Sequence, residues 1–205
     1  MDERPYSQIK AHLVQVDEVL ARVMASVDET IEPALEIDIY KALLQSIVSQ
    51  QLSTKVADII WNRFLDMFPN RYPQPELIVQ MPEIDLRNVG FSRQKTGYIK
   101  NVAQFALEHD MSFDALAEMD DNDVIDFLTQ IKGVGRWTVQ MVLMFPMDRP
   151  NVFPVDDYGI QSKMKHWYQL DSEKKMLKQQ LEEIADKWRP YRSLACKYIW
   201  ASQTK

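Results

Sequence analysis

Two of the chain's five glycines stand two residues apart, in Ile131-Lys132-Gly133-Val134-Gly135-Arg136-Trp137, with a helix-like stretch on either side. Residues 122–130 lead in and 138–145 lead out. A Gly-x-Gly turn reaches backbone conformations with positive φ that other residues resist. The second helix begins just after the turn, so its first backbone N–H groups have no helical acceptor. Together with the positive end of the helix dipole, those groups make a phosphate site. An ordinary helix-terminating glycine turn is the other reading of the same residues.

Elsewhere the pattern is helical almost throughout. Glycine is scarce, the ten prolines fall at joints, and period-2 alternation is nearly absent, which predicts an all-α chain. One helix is expected over 7–27, with Ile9, Leu13, Val16, Leu20 and Val23 at helical spacing, and a mostly buried one over 38–51. Ser53 is placed to cap a third, whose expected apolar face is Val56, Ile60, Phe64 and Met67. Short turns fill 75–88, Ser92 caps a helix over 93–108, and Ser112 and Asp120 or Asp121 begin two shorter pieces. After the glycine turn come helices over 138–145, 157–167, 173–188 behind Ser172, and 191–202 behind Pro190. Trp61 and Trp167 are expected in the core.

Apolar residues make up 46% and charged residues 26% of the chain, a globular profile. The single cysteine, Cys196, excludes a disulfide framework, a four-cysteine zinc site and a four-cysteine iron–sulfur cluster. No apolar run approaches the ~20 residues of a membrane span, and the charged N-terminus lacks a signal-peptide core. An intracellular protein is expected, cytoplasmic or, in a eukaryote, nuclear. The net charge of −6 argues against a general nucleic-acid binder but permits a local basic face. Lys95, Lys132 and Arg136 are the candidates for one.

The stretch Asn151-Val152-Phe153-Pro154-Val155-Asp156-Asp157-Tyr158 sets two adjacent carboxylates at the mouth of a helix. Helix capping accounts for such a pair, and remains open for Asp156. A carboxylate there also suits stabilising a cationic transition state or orienting a water.

Four stretches taken together carry a resemblance. They are Ile47 to Ser53; Val89-Gly90-Phe91-Ser92 with Lys95 and Tyr98; Ile131 to Thr138 with Val152 to Tyr158; and Trp188 to Ser193 ending in Ile199-Trp200. In this order, over residues 38–202, they resemble the helix-hairpin-helix (HhH-GPD) DNA glycosylases, most nearly the DNA-3-methyladenine glycosylase II group. The resemblance implies one HhH-GPD unit over 1–205 made of two helical lobes with the active-site cleft between them. One lobe would span 38–130, the other 1–37 plus 138–205, and the hairpin 131–137. It further implies Asp157 as the catalytic residue, Trp137 and Trp200 as walls of the base pocket, and Gln51 as the residue filling the gap left by an extruded base. Gly133, Val134 and Gly135 match the phosphate clamp, flanked by Lys132 and Arg136. Carbonyls around Thr129, Ile131 and Val134 match those that hold a monovalent cation in DNA complexes of the family. Bifunctional relatives carry a lysine at the position of Trp137, and an indole is no nucleophile, so strand cleavage is not expected. One cysteine also cannot supply the iron–sulfur loop of the endonuclease III branch.

Three departures stand out. Lys132 replaces a frequent proline and adds a candidate phosphate contact. Met141, one helical turn after Trp137, stands in the base pocket where a tyrosine is familiar. The β-rich N-terminal domain of longer bacterial members has no counterpart, so the first 37 residues are expected to wall part of the pocket, with His12 as candidate. The expected function is a monofunctional glycosylase that flips out alkylated purines, chiefly 3-methyladenine, and hydrolyses their N-glycosidic bond in base excision repair. No cofactor and no catalytic metal are expected. The partner is double-stranded DNA with damaged bases, bound by a monomer without a membrane. The rival readings are a glycosylase for hypoxanthine, uracil or 1-methyladenine, a non-catalytic hairpin module that only binds DNA, and a helical scaffold with no DNA affinity.

Overall fold

The computed structural model describes residues 6–28, 31 and 38–203. Among these, every regular element is helical, as the missing period-2 alternation predicts. In chain order the helices are α1 (Tyr6–Val16), α2 (Glu18–Ala25), α3 (Ile39–Ser49), α4 (Thr54–Leu65), α5 (Pro75–Gln80), α6 (Glu83–Asn88) and α7 (Arg93–Glu108). They continue with α8 (Phe113–Ala117), α9 (Asp121–Leu128), α10 (Arg136–Met144), α11 (Tyr158–Trp167), α12 (Lys174–Asp186) and α13 (Arg192–Ala201). The chain divides into a middle unit, 35–147, and a unit formed from its two ends, 1–34 with 148–205. The second lobe is expected to resume at 138, but the chain leaves the middle unit only after 147, because α10 packs on α3 and α9.

The middle unit is built on α7, which packs against α3, α5 and α6. Ile99, Val102 and Ala103 of α7 are fully buried. The fully buried Phe64 meets Phe68 and Phe91 at ring separations of 5.1 and 5.2 Å. This cluster corrects the expected face of α4. The helix buries Ala57, Trp61, Phe64 and Leu65, while Val56 is 43% and Ile59 45% exposed. Burying the Trp61 and Phe68 rings beside Phe64 removes more apolar surface from water than burying Val56 would, and that sets the rotation of the helix. Trp61 is core, as expected.

In the terminal unit the expected helix over 7–27 is two helices, broken at Asp17. The Asp17 side chain, 7% exposed, accepts through one oxygen from the N–H groups of Val19 and Leu20 at 2.9 and 3.0 Å. Its other oxygen accepts from Tyr168 Oη at 2.8 Å and Trp188 Nε1 at 3.0 Å. Four donors offset the cost of burying a carboxylate. They also start α2 on a new axis, which hydrophobic spacing alone cannot reveal. At α12 the N-cap residue is Glu173, one past the expected Ser172, and it makes no side-chain cap bond.

Asp17→Ala would leave two main-chain amides, a buried indole N–H and a phenol without their acceptor. It should lower unfolding free energy by about 3 kcal/mol or more in a denaturant titration.

Candidate functional site

The hairpin lies wholly in the middle unit. After α9 the chain turns through Ile131 and Val134, 2% and 5% exposed, with the Val134 N–H donating to the Ile131 carbonyl at 2.9 Å. Gly133 has φ +107°. A Cβ there would lie 2.2 Å from Cγ of Tyr98 on α7, so the ring sits directly against the glycine. Asn101, one helical turn further along α7, donates its side-chain amide to the Lys132 carbonyl at 2.9 Å. The turn is thus held from behind by α7. Gly135 is different: its φ of −99° is open to any residue, and a Cβ there would meet nothing within 4 Å. Gly135 is exposed, as are Lys132 and Arg136 on either side. The first bond of α10 runs from the Val139 N–H to the Gly135 carbonyl, and no side chain caps the helix. The amides of 136–138 therefore precede the helical ladder at the positive end of the dipole. Trp137 is half-buried in the first turn of α10. Among the expected cation carbonyls, Ile131 already accepts within the turn, and the Thr129 hydroxyl bonds back to the Ile125 carbonyl at 2.7 Å.

Gln51 sits just past α3 in an exposed turn, with φ +59°. A non-glycine residue held there carries backbone strain, and its surroundings must fix it. Lys95 does so. Its Nζ donates to the carbonyls of Val48 and Gln50 at 2.6 and 2.8 Å, and burial lowers its pKa from the ordinary lysine value. This corrects its expected place on the basic face: the ammonium anchors the turn that carries Gln51. The side chain of Gln50 comes within 3.5 Å of the Thr138 hydroxyl of α10. Met141 is half-buried and lines a groove of 240 Å³ with Ala42, Gln45, Ser46 and Ser49 of α3 and Val142, Phe145 and Pro146.

Asp157 and Trp200 belong to the terminal unit, and there the structure brings them together. Asp157 is the N-cap of α11, and its Oδ1 accepts from the Ile160 N–H at 2.8 Å and from the Trp200 Nε1–H at 2.9 Å. The capping reading is therefore correct for Asp157, and it is only half of what the carboxylate does. Gly159 makes the contact close: a Cβ there would lie 3.1 Å from Asp157 Oδ1 and 3.3 Å from the indole. Asp156 is exposed and paired with Lys178.

The approach to Asp157 is braced by the start of α13. Arg192 donates through Nε to the Asn151 side-chain oxygen at 2.8 Å and through an Nη to the Asn151 carbonyl at 2.7 Å. The Ser193 hydroxyl donates to the Arg149 carbonyl at 2.6 Å and accepts from the Val152 N–H at 2.9 Å. So α13 holds the loop before Asp157 with one end and Asp157 itself with the other. Asn101, an ordinary polar position on a helix, has no sequence signal for its role behind the hairpin.

Cys196 is fully buried, and burial pushes its thiol pKa up, which leaves it unsuited to nucleophilic work. Of the residues expected to wall the pocket, 1–5, 29–30 and 32–37 lie outside the described residues. His12 packs edge-on to Tyr191 at 5.6 Å, and its Nε2 is buried without a hydrogen-bond partner among the described residues. Among the described residues no group of three or more His, Cys, Asp or Glu side chains is arranged to hold a metal ion. Nor is any described helix long and apolar enough to cross a membrane.

Comparison with known proteins extends the picture. The family model described as HhH-GPD superfamily base excision DNA repair protein matches residues 44–188. A putative DNA-3-methyladenine glycosylase of Bacillus subtilis is 36% identical over 174 residues, 82% of this chain. The chain spans 60% of that relative's length. DNA-3-methyladenine glycosylase 1 of Schizosaccharomyces pombe is 35% identical over 164 residues, covering 78% of this chain and 71% of that protein. A solved structure of the Schizosaccharomyces pombe 3-methyladenine DNA glycosylase in complex with abasic DNA aligns with a TM-score of 0.87 at 30% identity. The alignment covers 97% of this chain and 100% of that one.

The two hairpin glycines should separate in mutants. Gly133→Ala, strained at φ +107° and driven into Tyr98, should cost about 3 kcal/mol or more in thermal or chemical unfolding. Gly135→Ala should stay within about 1 kcal/mol of the parent, the difference between helix-capping residues.

Proposed function

The chain belongs to the HhH-GPD superfamily of base excision DNA repair proteins, and from that premise we propose that it is a monofunctional DNA glycosylase excising alkylated purines, 3-methyladenine foremost. The relatives named for 3-methyladenine support the substrate class. The observation that carries the chemistry is the Asp157 carboxylate, held at the start of α11 by a main-chain amide and an indole N–H on one oxygen.

The steps follow from the chemistry of the substrate. A base inside a duplex must leave the stack before its glycosidic bond is reached, at a cost of a few kcal/mol that is lower for a damaged base. The hairpin amides hold a backbone phosphate without reading sequence, and the exposed Gly135 gives that phosphate a close approach. Gln51, at the tip of the turn anchored by Lys95, enters the gap left by the base. Alkylation at a ring nitrogen makes the base cationic and a good leaving group. An indole face attracts a desolvated cation by ~2 kcal/mol, so an indole such as Trp137 in the middle unit or Trp200 in the terminal unit suits a cationic base. As the bond breaks, positive charge grows on the sugar, and Asp157 stabilises it and orients the attacking water. Fixing the carboxylate beforehand matters because groups already oriented need no rearrangement as charge develops.

Trp137 stands where a Schiff-base lysine would, so the abasic product is released with its strand intact. A monovalent cation on the carbonyls of Thr129, Ile131 and Val134 would strengthen the grip of the hairpin on phosphate. The protein acts as a monomer on double-stranded DNA, inside the cell.

Asp157→Asn should lower the release of methylated purine from alkylated duplex by about 100-fold or more in single-turnover assays. Its affinity for abasic-site duplex should change little. Wild-type product strands should stay unbroken until treated with alkali. An Asn variant at the wild-type rate would refute the role of Asp157, and alkali-independent nicking by wild type would refute monofunctional chemistry.

A further inference from the structure

Lys163 lies on α11, six residues after Asp157. Its Nζ reaches the end of α13 and donates to the carbonyls of Trp200 and Ser202. Carbonyls in the last turn of a helix have no donor within the helix, and helix ends fray. Trp200 is the next-to-last residue of α13, so its position would otherwise be among the least determined in that helix. Here it is held at both ends. Lys163 holds its main chain, and its indole donates to Asp157 at 2.9 Å. Because Asp157 and Lys163 share one helix, the contacts close a ring through α11 and Trp200.

A lysine at a helix C-terminus also has an ordinary use, satisfying carbonyls and the dipole for stability. Two observations set this one apart. One of its two partners is the main-chain carbonyl of the very residue that orients the carboxylate, and the side chain is half-buried, with burial lowering its pKa from the usual lysine value. A neighbouring tie offers the contrast: Trp167 Nε1 donates to the Ser202 hydroxyl at 3.1 Å, linking the same two helices through a side chain of the C-cap residue rather than through the Trp200 carbonyl.

We propose that Lys163 is a positioning residue for the Asp157–Trp200 pair, setting the end of α13 so that the indole N–H meets the carboxylate. This rests on the reading of Asp157 as the catalytic carboxylate. Loss of the ammonium removes one tie on the Trp200 carbonyl at the end of α13, and a displacement of about 1 Å at a reacting group costs up to ~100-fold in rate. Binding through the hairpin uses none of these atoms.

The test is a set of single-turnover rates on duplex bearing one alkylated purine, with affinity for abasic-site duplex and melting temperature measured on the same proteins. Lys163→Met should lower the rate between about 10- and 100-fold while abasic-site affinity holds. Lys163→Arg, which keeps charge and donors, should recover most of the rate. Trp167→Phe should lower the melting temperature and not the rate. In a Trp200→Phe background, adding Lys163→Met should cost nothing further, because the residue it acts through has lost its N–H. Lys163→Met at the wild-type rate, or a full additional loss in the Trp200→Phe background, would overturn the proposal. If Lys163→Met does not fold, Lys163→Gln carries the same two expectations. Asp157→Asn is the reference: an Asn variant as active as wild type sinks the catalytic reading and this proposal with it. A silent Asn variant beside an undiminished Lys163→Met sinks the role of Lys163 alone.

Discussion

A single hydrogen bond, from the Trp200 indole to Asp157 Oδ1, organises the terminal unit. It links the last turn of α13 to the first turn of α11, and Gly159 leaves the space that lets the two side chains meet. Much of the surrounding structure serves to hold its two ends. Arg192 and Ser193 fix the loop over 149–152 that leads to the carboxylate, and they sit on the same helix as Trp200. A rigid helix used at both ends transmits a fixed spacing, which loops joined only to each other would not. The stretch from Trp188 to Trp200 therefore reads as one device: a buried anchor, a loop brace, and an indole donor about two turns on.

The middle unit solves a different problem by the same means. For the proposed function, holding phosphate without reading bases needs main-chain amides in a fixed place, and Gln51 must stand out at φ +59° without collapsing. Both are settled by α7. Tyr98 and Asn101 hold the hairpin from behind, and Lys95, one turn earlier on α7, holds the turn of Gln51. A half-buried ammonium on two end-of-helix carbonyls occurs in each unit, Lys95 on α3 and Lys163 on α13. In both cases it fixes a helix end that carries a residue of the proposed site. Carbonyls that a fraying end would give to water are bound to a charge instead, and the strength of charge-assisted bonds explains why lysines are kept there against the cost of desolvation.

What could be read in the sequence, and what could not, divides by physical cause. The hairpin, the caps of α7, α8 and α9 and the all-helical class were legible because glycine geometry and N-cap chemistry are local. Asp157 was legible as a cap for the same reason, but its second bond, to a residue 43 positions away, had no signal in the sequence, since the resemblance implied both residues and no bond between them. The break at Asp17 was hidden because Leu13, Leu20 and Val23 keep helical spacing across it. The cause is a tertiary pair of donors, Tyr168 and Trp188. The rotation of α4 differs by one residue from what hydrophobic spacing predicts because the aromatic cluster around Phe64 is assembled from three segments. Lys95 read as a surface charge, since nothing in a lysine's neighbours announces that carbonyls from α3 will reach it.

The central claim is electrostatic: a fixed carboxylate at 157 stabilises positive charge on the sugar. The most direct measurement compares binding of two duplexes, one with a cationic azasugar at the abasic position and one with its neutral tetrahydrofuran analogue. The account predicts that wild type prefers the cationic duplex by at least about tenfold, on the order of 1.4 kcal/mol, and that Asp157→Asn erases the preference while still binding the neutral duplex. Equal affinity of wild type for both, or an undiminished preference in the Asn variant, would contradict it.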